Sequence, residues 1–458
     1  MASIKQLFEP ADMTIGTPWK RIAMFSFPML IGNIAQQMYN TVDSIVVGHY
    51  VGDNALAAVG SAGPLFNLLL VLFVGISAGV GIMVSQYFGA KQRQDLSDTI
   101  GTSITLTALV SLFLMAAAPP IIPTLLRMLN TPETILKDCA DYLNILMYGI
   151  AGLAFYNILS GILRGMGDSF SALIYLLIAT VLNIVLDVYF VAELNMGVAG
   201  VSLATAIAQG VSSIMCLFKL MRMKSVFDLG KKELKMSGRH VKQIIRLGIP
   251  SGVTQAIFSS AMIIVQSLTN SFGETFIAAN VIVMRVDGFA MMPNFSFGMA
   301  MTTYAGQNVG ARQYDRVHQG AKQGTLMALA VSALMTGAIL IFGKYLMMIF
   351  TDTPELVDMS VYMMRILAVG YLAVAVTQCL SGVMRGAGDT VTPMWISLIT
   401  TVAIRVPVAY GISWLTRTPE LPYGRFECIQ ISLLLSWILG AVFTAIFYRK
   451  GKWRNKAI

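Results

Sequence analysis

The chain has 458 residues, 56% of them hydrophobic and only 12% charged, with a formal net charge of +9. A water-soluble domain carries roughly 25% charged residues, so this composition excludes an aqueous surface and makes lipid the main solvent. The positive balance comes without a basic–aromatic stripe of the kind that binds nucleic acid.

In chain order, the first twenty residues are polar, with acids and prolines, and read as an uncleaved start rather than a signal peptide. Apolar stretches then predict helices at 17–45, 54–84, 98–120, 138–160, 168–191, 198–222, 241–270, 277–305, 320–343, 358–380, 391–415 and 428–449. Each can cross a hydrocarbon core of about 30 Å, which takes about 20 residues. Runs such as Leu68–Val74 do not alternate, which excludes a β-barrel. The expected fold is an all-α polytopic membrane protein of twelve transmembrane helices in two pseudo-symmetric six-helix lobes. The boundaries are 1–222 for the first lobe, 223–240 for a linker, 241–450 for the second lobe and 451–458 for a tail.

An even helix count puts both termini on one side. That side holds Lys5, Lys20, Arg21, Lys91, Arg93, Arg164, the run from Lys219 to Arg246, Arg312, Arg316, Lys322, Arg385 and the tail from Arg449. The other side holds only Arg127, Lys137, Lys344, Arg417 and Arg425. By the positive-inside rule both termini are cytoplasmic, in a bacterial inner membrane. The charged stretch Lys224–Lys242 reads as a cytoplasmic linker, with contact to anionic lipid as its functional alternative. Cys139, Cys216, Cys379 and Cys428 stand alone and read as reduced packing residues. His49, His240 and His318 lie near loops with no metal spacing and no nucleophile–base set, so an enzyme is not expected.

The chain repeats itself. Ser160-Gly-Ile-Leu-Arg-Gly-Met-Gly-Asp168 matches Ser381-Gly-Val-Met-Arg-Gly-Ala-Gly-Asp389, an offset of 221. Gln86–Ala90 matches Gln307–Ala311, Thr131-Pro-Glu133 matches Thr353-Pro-Glu355, and Pro28 and Pro250 sit early in the first helix of each half. Six helices per half make these parallel repeats, an architecture that carries a cleft between rocking halves. The Arg-Gly-x-Gly-Asp turns read as structural, with local Arg164–Asp168 and Arg385–Asp389 pairs.

The segments Tyr39-Asn-Thr-Val-Asp43 before Gly48, Asp53-Asn-Ala-Leu-Ala-Ala58, Gln86–Ala90 and Leu163–Asp168, with their second-half counterparts, resemble the multidrug and toxic compound extrusion (MATE) family from about Ile15 to Lys450. The resemblance implies twelve helices, two lobes, and antiport of amphipathic cations against sodium ions or protons, with no other cofactor.

Three acids fall at membrane depth: Asp43, Asp187 and Asp287. A charge there is costly and marks a functional site by default. Asn183 and Asp187 are four apart and share a helical face. An amide oxygen and a carboxylate on one face are half of a hard-cation site, and Asp43 and Thr205 are placed to supply more oxygens. The family resemblance assigns the cation site of the first lobe to Asp43, Asn183, Asp187 and Thr205, residue by residue. Asn157 matches a further polar position in its fourth helix. If sodium is the coupling ion, those first four are the metal ligands; proton and sodium both remain open. One branch of the family adds acids in the seventh and tenth helices. Here those stretches read Gln255–Ser260 and Ala373–Gln378 without a carboxylate, which points to the first lobe.

In the second lobe Asp287 is expected to pair with Arg405 or Arg285, the alternative being a counter-ion to a cationic drug. A substrate cleft is expected from Gln36, Gln37 and Tyr39, from Gln255, and from Met291 and Met292 beside Asp287 and Arg285. Flexible methionines and a few neutral polar groups suit varied amphipathic cations. The chain is expected to act as a monomer in the bilayer. The alternative function is a lipid-linked oligosaccharide flippase; a passive channel is disfavoured by the lack of a filter-like segment.

Overall fold

The apolar runs, bounded by glycines or short polar turns, form helices of up to 37 residues, because a backbone in lipid must satisfy its hydrogen bonds within the segment. The structure, a computed structural model, describes residues 8–128 and 131–458; Lys5 of the basic set lies outside them. The helices are α1 (Pro18–Tyr50), α2 (Asp53–Gly89), α3 (Arg93–Met128), α4 (Glu133–Tyr148), α5 (Ile150–Gly165), α6 (Ser169–Val188) and α7 (Gly197–Met221). They continue as α8 (Gly238–Asn270), α9 (Glu274–Gly310), α10 (Tyr314–Met348), α11 (Pro354–Ala368), α12 (Gly370–Gly386), α13 (Val391–Ser397), α14 (Arg405–Leu415) and α15 (Cys428–Arg449).

Nine of the described helices are long and apolar enough to span a bilayer, or eleven spans when the pairs α4–α5 (bent 53°) and α11–α12 (bent 45°) each count as one. The remaining span is α1, 33 residues long, whose hydropathy is diluted by Asn33, Gln36, Gln37, Asn40 and Asp43. The protein is thus an all-α polytopic membrane protein with the expected twelve segments. Its outward apolar residues fit lipid: Phe113 on α3 is 68% exposed and Leu334 on α10 is 74% exposed.

Two segments wind into a π-helix: Tyr189–Glu193 directly after α6, and Leu398–Ile404 between α13 and α14. Such segments cluster at functional sites because they re-aim the side chains beside them.

The repeat is written into the backbone. Positive φ occurs at Gly52 and Gly273, at Lys91 and Arg312, and at Gly167 and Gly388, each pair 221 residues apart. In the Arg-Gly-x-Gly-Asp turns the expected Arg–Asp pairs do not form among the described residues. Instead the Asp168 carboxylate accepts from the Ser171 amide at 2.9 Å and the Ser171 hydroxyl at 2.7 Å. Asp389 does the same with Thr392, at 3.2 and 2.7 Å. The acid caps the free amides at the start of the next helix, a stronger local demand than a second arginine contact. Asp168 also meets Lys219 at 3.8 Å.

The chain divides into two compact units, and the division differs from the sequence-level lobes. The first unit comprises residues 1–12 and 31–252, the second 13–30 and 253–458. Both boundaries fall inside a helix, two residues past Pro28 and Pro250. In the first unit the opening half of α8 lies against α2. A Cβ on Gly75 or Gly79 would come within 2.7 Å of the α8 backbone at Gly248 or Ile244, so only glycine permits this approach. In the second unit the opening half of α1 supplies Ile22, Phe25 and Met29 to a core with Ala300, Met301 and Tyr304 of α9.

The segment expected to be a cytoplasmic linker packs within the first unit. The Thr105 hydroxyl donates to the Leu234 carbonyl at 2.7 Å, and Arg93 donates to both oxygens of Asp228 at 2.8 Å. The tail is anchored in the second unit, where Trp453 is fully buried and stacks on Tyr448.

Candidate functional site

Three helices of the first unit each present a pair of polar residues four apart, and so on one face. They are Tyr39 and Asp43 on α1, Asn183 and Asp187 on α6, and Thr205 and Gln209 on α7. The structure brings all six together. The carboxyl groups of Asp43 and Asp187 lie against one another, within hydrogen-bonding range if one carries a proton. The Thr205 hydroxyl sits beside Asp43 and Tyr39, and it receives a 3.5 Å contact from the Asn183 amide nitrogen. Gln209 lies next to the Tyr39 hydroxyl.

The cluster is enclosed. Asp187 and Asn183 expose none of their surface, and Asp43 exposes 9%. Its oxygen atoms are mostly unanswered: the Tyr39 hydroxyl, Asp43 Oδ1, Asn183 Oδ1, both oxygens of Asp187 and Gln209 Oε1 have no hydrogen-bond partner among the described residues. A buried polar atom without a partner costs roughly 1–3 kcal/mol. Two facing carboxylates add mutual repulsion. Oxygens from carboxylate, amide and hydroxyl groups converging in one enclosed volume fit a hard cation. A proton held between the two carboxyls would also remove the repulsion. No cluster of three His, Cys, Asp or Glu side chains that would suit a transition metal occurs among the described residues.

Sequence reasoning put Tyr39 in the substrate cleft and omitted Gln209. The signal for Gln209 was its spacing of four from Thr205, the same spacing that singled out Asn183 and Asp187. Asn157 is not brought to the cluster by any hydrogen bond: its amide nitrogen donates to the Leu153 carbonyl of its own helix at 2.9 Å.

The other expected cleft residues fall in both units. Gln36 is half-buried and Gln37 exposed on α1; in the second unit, Gln255 and Arg285 are exposed. Met291 belongs to the apolar core of the second unit and Met292 is likewise buried. The expected ion pair of Asp287 with Arg405 or Arg285 is not formed among the described residues. Asp287 Oδ1 instead accepts from the Tyr371 hydroxyl at 2.9 Å, because α12 brings a neutral donor within reach.

A sequence profile described as MatE matches residues 28–190 and 250–411, once in each half and starting at each repeated proline. The chain belongs to the MatE family. That family is one of membrane transporters, not of enzymes. Among its relatives, "Probable multidrug resistance protein YoeA" of Bacillus subtilis (strain 168) is 29% identical over 426 residues, covering 91% of this chain and 92% of that one. "Probable multidrug resistance protein NorM" of Thermotoga maritima is 24% identical over 451 residues, covering 96% and 94%. The fold matches a solved structure described as "Crystal structure of MATE in the straight conformation", with TM-score 0.89 at 24% identity over 97% of this chain and 98% of that one. A second, an "Outward-facing conformation of a multidrug resistance MATE family transporter of the MOP superfamily", matches with TM-score 0.89 at 23% identity over the same shares.

Proposed function

We propose that this transporter is a secondary active antiporter that exports amphipathic organic cations in exchange for protons or sodium ions by alternating access. It works as a monomer in the bacterial inner membrane with both termini cytoplasmic. The reading is carried by one observation: Asp43 and Asp187 face each other in an enclosed cluster whose oxygen atoms lack partners. Such a site is unstable without a positive charge and stable with one, so its occupancy can be linked to a change of conformation. The names of the relatives support a drug-like substrate. A flippase for an anionic lipid-linked sugar is the weaker reading, since the polar centre of the first unit is acidic.

The test is ethidium efflux from liposomes under a pH gradient alone and a sodium gradient alone, for wild type, Asp43→Asn and Asp187→Asn. Efflux driven by one gradient and lost in both variants is expected, and the effective gradient names the ion. If neither gradient moves ethidium or another amphipathic cation, the exporter reading fails. If gradient-driven efflux survives in both variants, coupling lies elsewhere.

A further inference from the structure

The second unit holds its own charged cavity, which the coupling chemistry of the first unit does not use. It has a volume of about 150 Å³, and its lining includes Asp287 from α9, Arg405 from α14, and Gln430 and Trp437 from α15. At roughly 30 Å³ per water, that is room for about five waters, or for a molecule of amino-acid size.

Arg405 gets there by way of the backbone. It is the first residue of α14, directly after the π-helical segment Leu398–Ile404. By the repeat offset of 221, Asn183 of the first unit corresponds to Ile404. Arg405, which lines the cavity, is the residue next to that position and follows the π segment directly.

The two charges line one cavity and attract each other across it, without touching. No ion pair joins them, and among the described residues the Arg405 side chain makes no hydrogen bond; its Nε is enclosed without a partner there. Asp287 Oδ1 accepts from Tyr371, while Oδ2 accepts no hydrogen bond. Gln430 Oε1 is also enclosed and unanswered. A metal cation here would be opposed by the guanidinium. An organic cation would leave Arg405 unpaired, and an anion would leave Asp287 unpaired. Both side chains are half-buried, and a charge left unpaired there is costly.

We propose that this cavity binds a small zwitterion, its carboxylate on Arg405 and its ammonium on Asp287 and Gln430 Oε1, with Trp437 and Met284 covering the apolar remainder. The inference goes beyond cation-coupled export and does not depend on it. Three probes of one skeleton separate the charges: leucine carries both, leucinamide only the cation, and 4-methylpentanoate only the anion.

Calorimetric titration of the full chain in nanodiscs, below neutral pH so that both amines are charged, is expected to show leucine binding at least tenfold tighter than either analogue. Arg405→Gln should bring leucine down to the affinity of leucinamide, and Asp287→Asn should bring it down to that of 4-methylpentanoate. Arg405→Lys should keep part of the preference. Equal affinity of the three probes for the wild type, or no binding of any, overturns the proposal even if a variant fails to fold. So does a leucine preference that persists in folded Arg405→Gln.

Discussion

At the residue scale, the polar cluster proposed to hold the coupling cation is a set of oxygen atoms that differ in what their removal does. Thr205→Val and Gln209→Leu each delete one neutral oxygen and leave both carboxyls in place. Each is expected to weaken coupling-cation binding about tenfold, the size of one lost partner to a charged group, with efflux retained at high ion concentration. Titrating the ion against efflux rate in liposomes checks this; an unchanged half-saturating concentration in Gln209→Leu would remove that residue from the site. If Asp43 and Asp187 share one cation as proposed, the effects of Asp43→Asn and Asp187→Asn on its binding should not add. The double variant is expected to be no worse than the more severe single variant, whereas independent roles would give the product of the two losses.

At the element scale, helix ends and helix crossings carry the fold. Asp168→Ala and Asp389→Ala each remove a cap and should lower stability by about 1 kcal/mol, while Asp→Ser should retain most of it. Gly248→Leu forces a side chain into the α2 backbone at Gly75. Strained packing of this kind costs about 1–3 kcal/mol, and the melting temperature in detergent should fall by several degrees. The same elements show what could be read from the chain. Helix number followed from apolar length, and the repeat from the Arg-Gly-x-Gly-Asp motifs, because both are local and periodic. The spacing of four on α6 exposed Asn183 and Asp187 for the same reason. Tyr39 and Gln209 escaped because their role depends on which faces of α1 and α7 meet α6, which no single helix states. Asp168 was misassigned to Arg164 because a nearby opposite charge looked more compelling than two uncharged donors at Ser171. The π segment directly before Arg405 leaves no mark in hydropathy.

At the scale of the whole molecule, orientation and the cytoplasmic segment are open to direct measurement. The four native cysteines are all buried, so an introduced thiol can report alone. Lys235→Cys should react with a membrane-impermeant thiol reagent only from the cytoplasmic side, and Glu420→Cys only from the opposite side; the reverse pattern would invert the topology. The contact of Arg93 with Asp228 also gives a pH dependence. Two hydrogen bonds from Arg93 hold the Asp228 carboxyl below its usual range. A depressed carboxylate contributes its tie above the ordinary value, near 3.9, and loses it as the pH falls through the lowered one. Hydrogen exchange of residues 224–237 should therefore rise only in strong acid, and in Asp228→Asn it should be raised already at neutral pH.

The boundaries of the compact units inside α1 and α8 have a consequence for synthesis. Residues 13–30 emerge from the ribosome near the start, yet Ile22, Phe25 and Met29 pack on a helix that begins at Glu274. The opening helix must then wait in the bilayer, half of it without its partners, until more than half of the chain has been translated. A gene cut within the 223–240 segment should yield two fragments that are degraded when made singly and persist when made together.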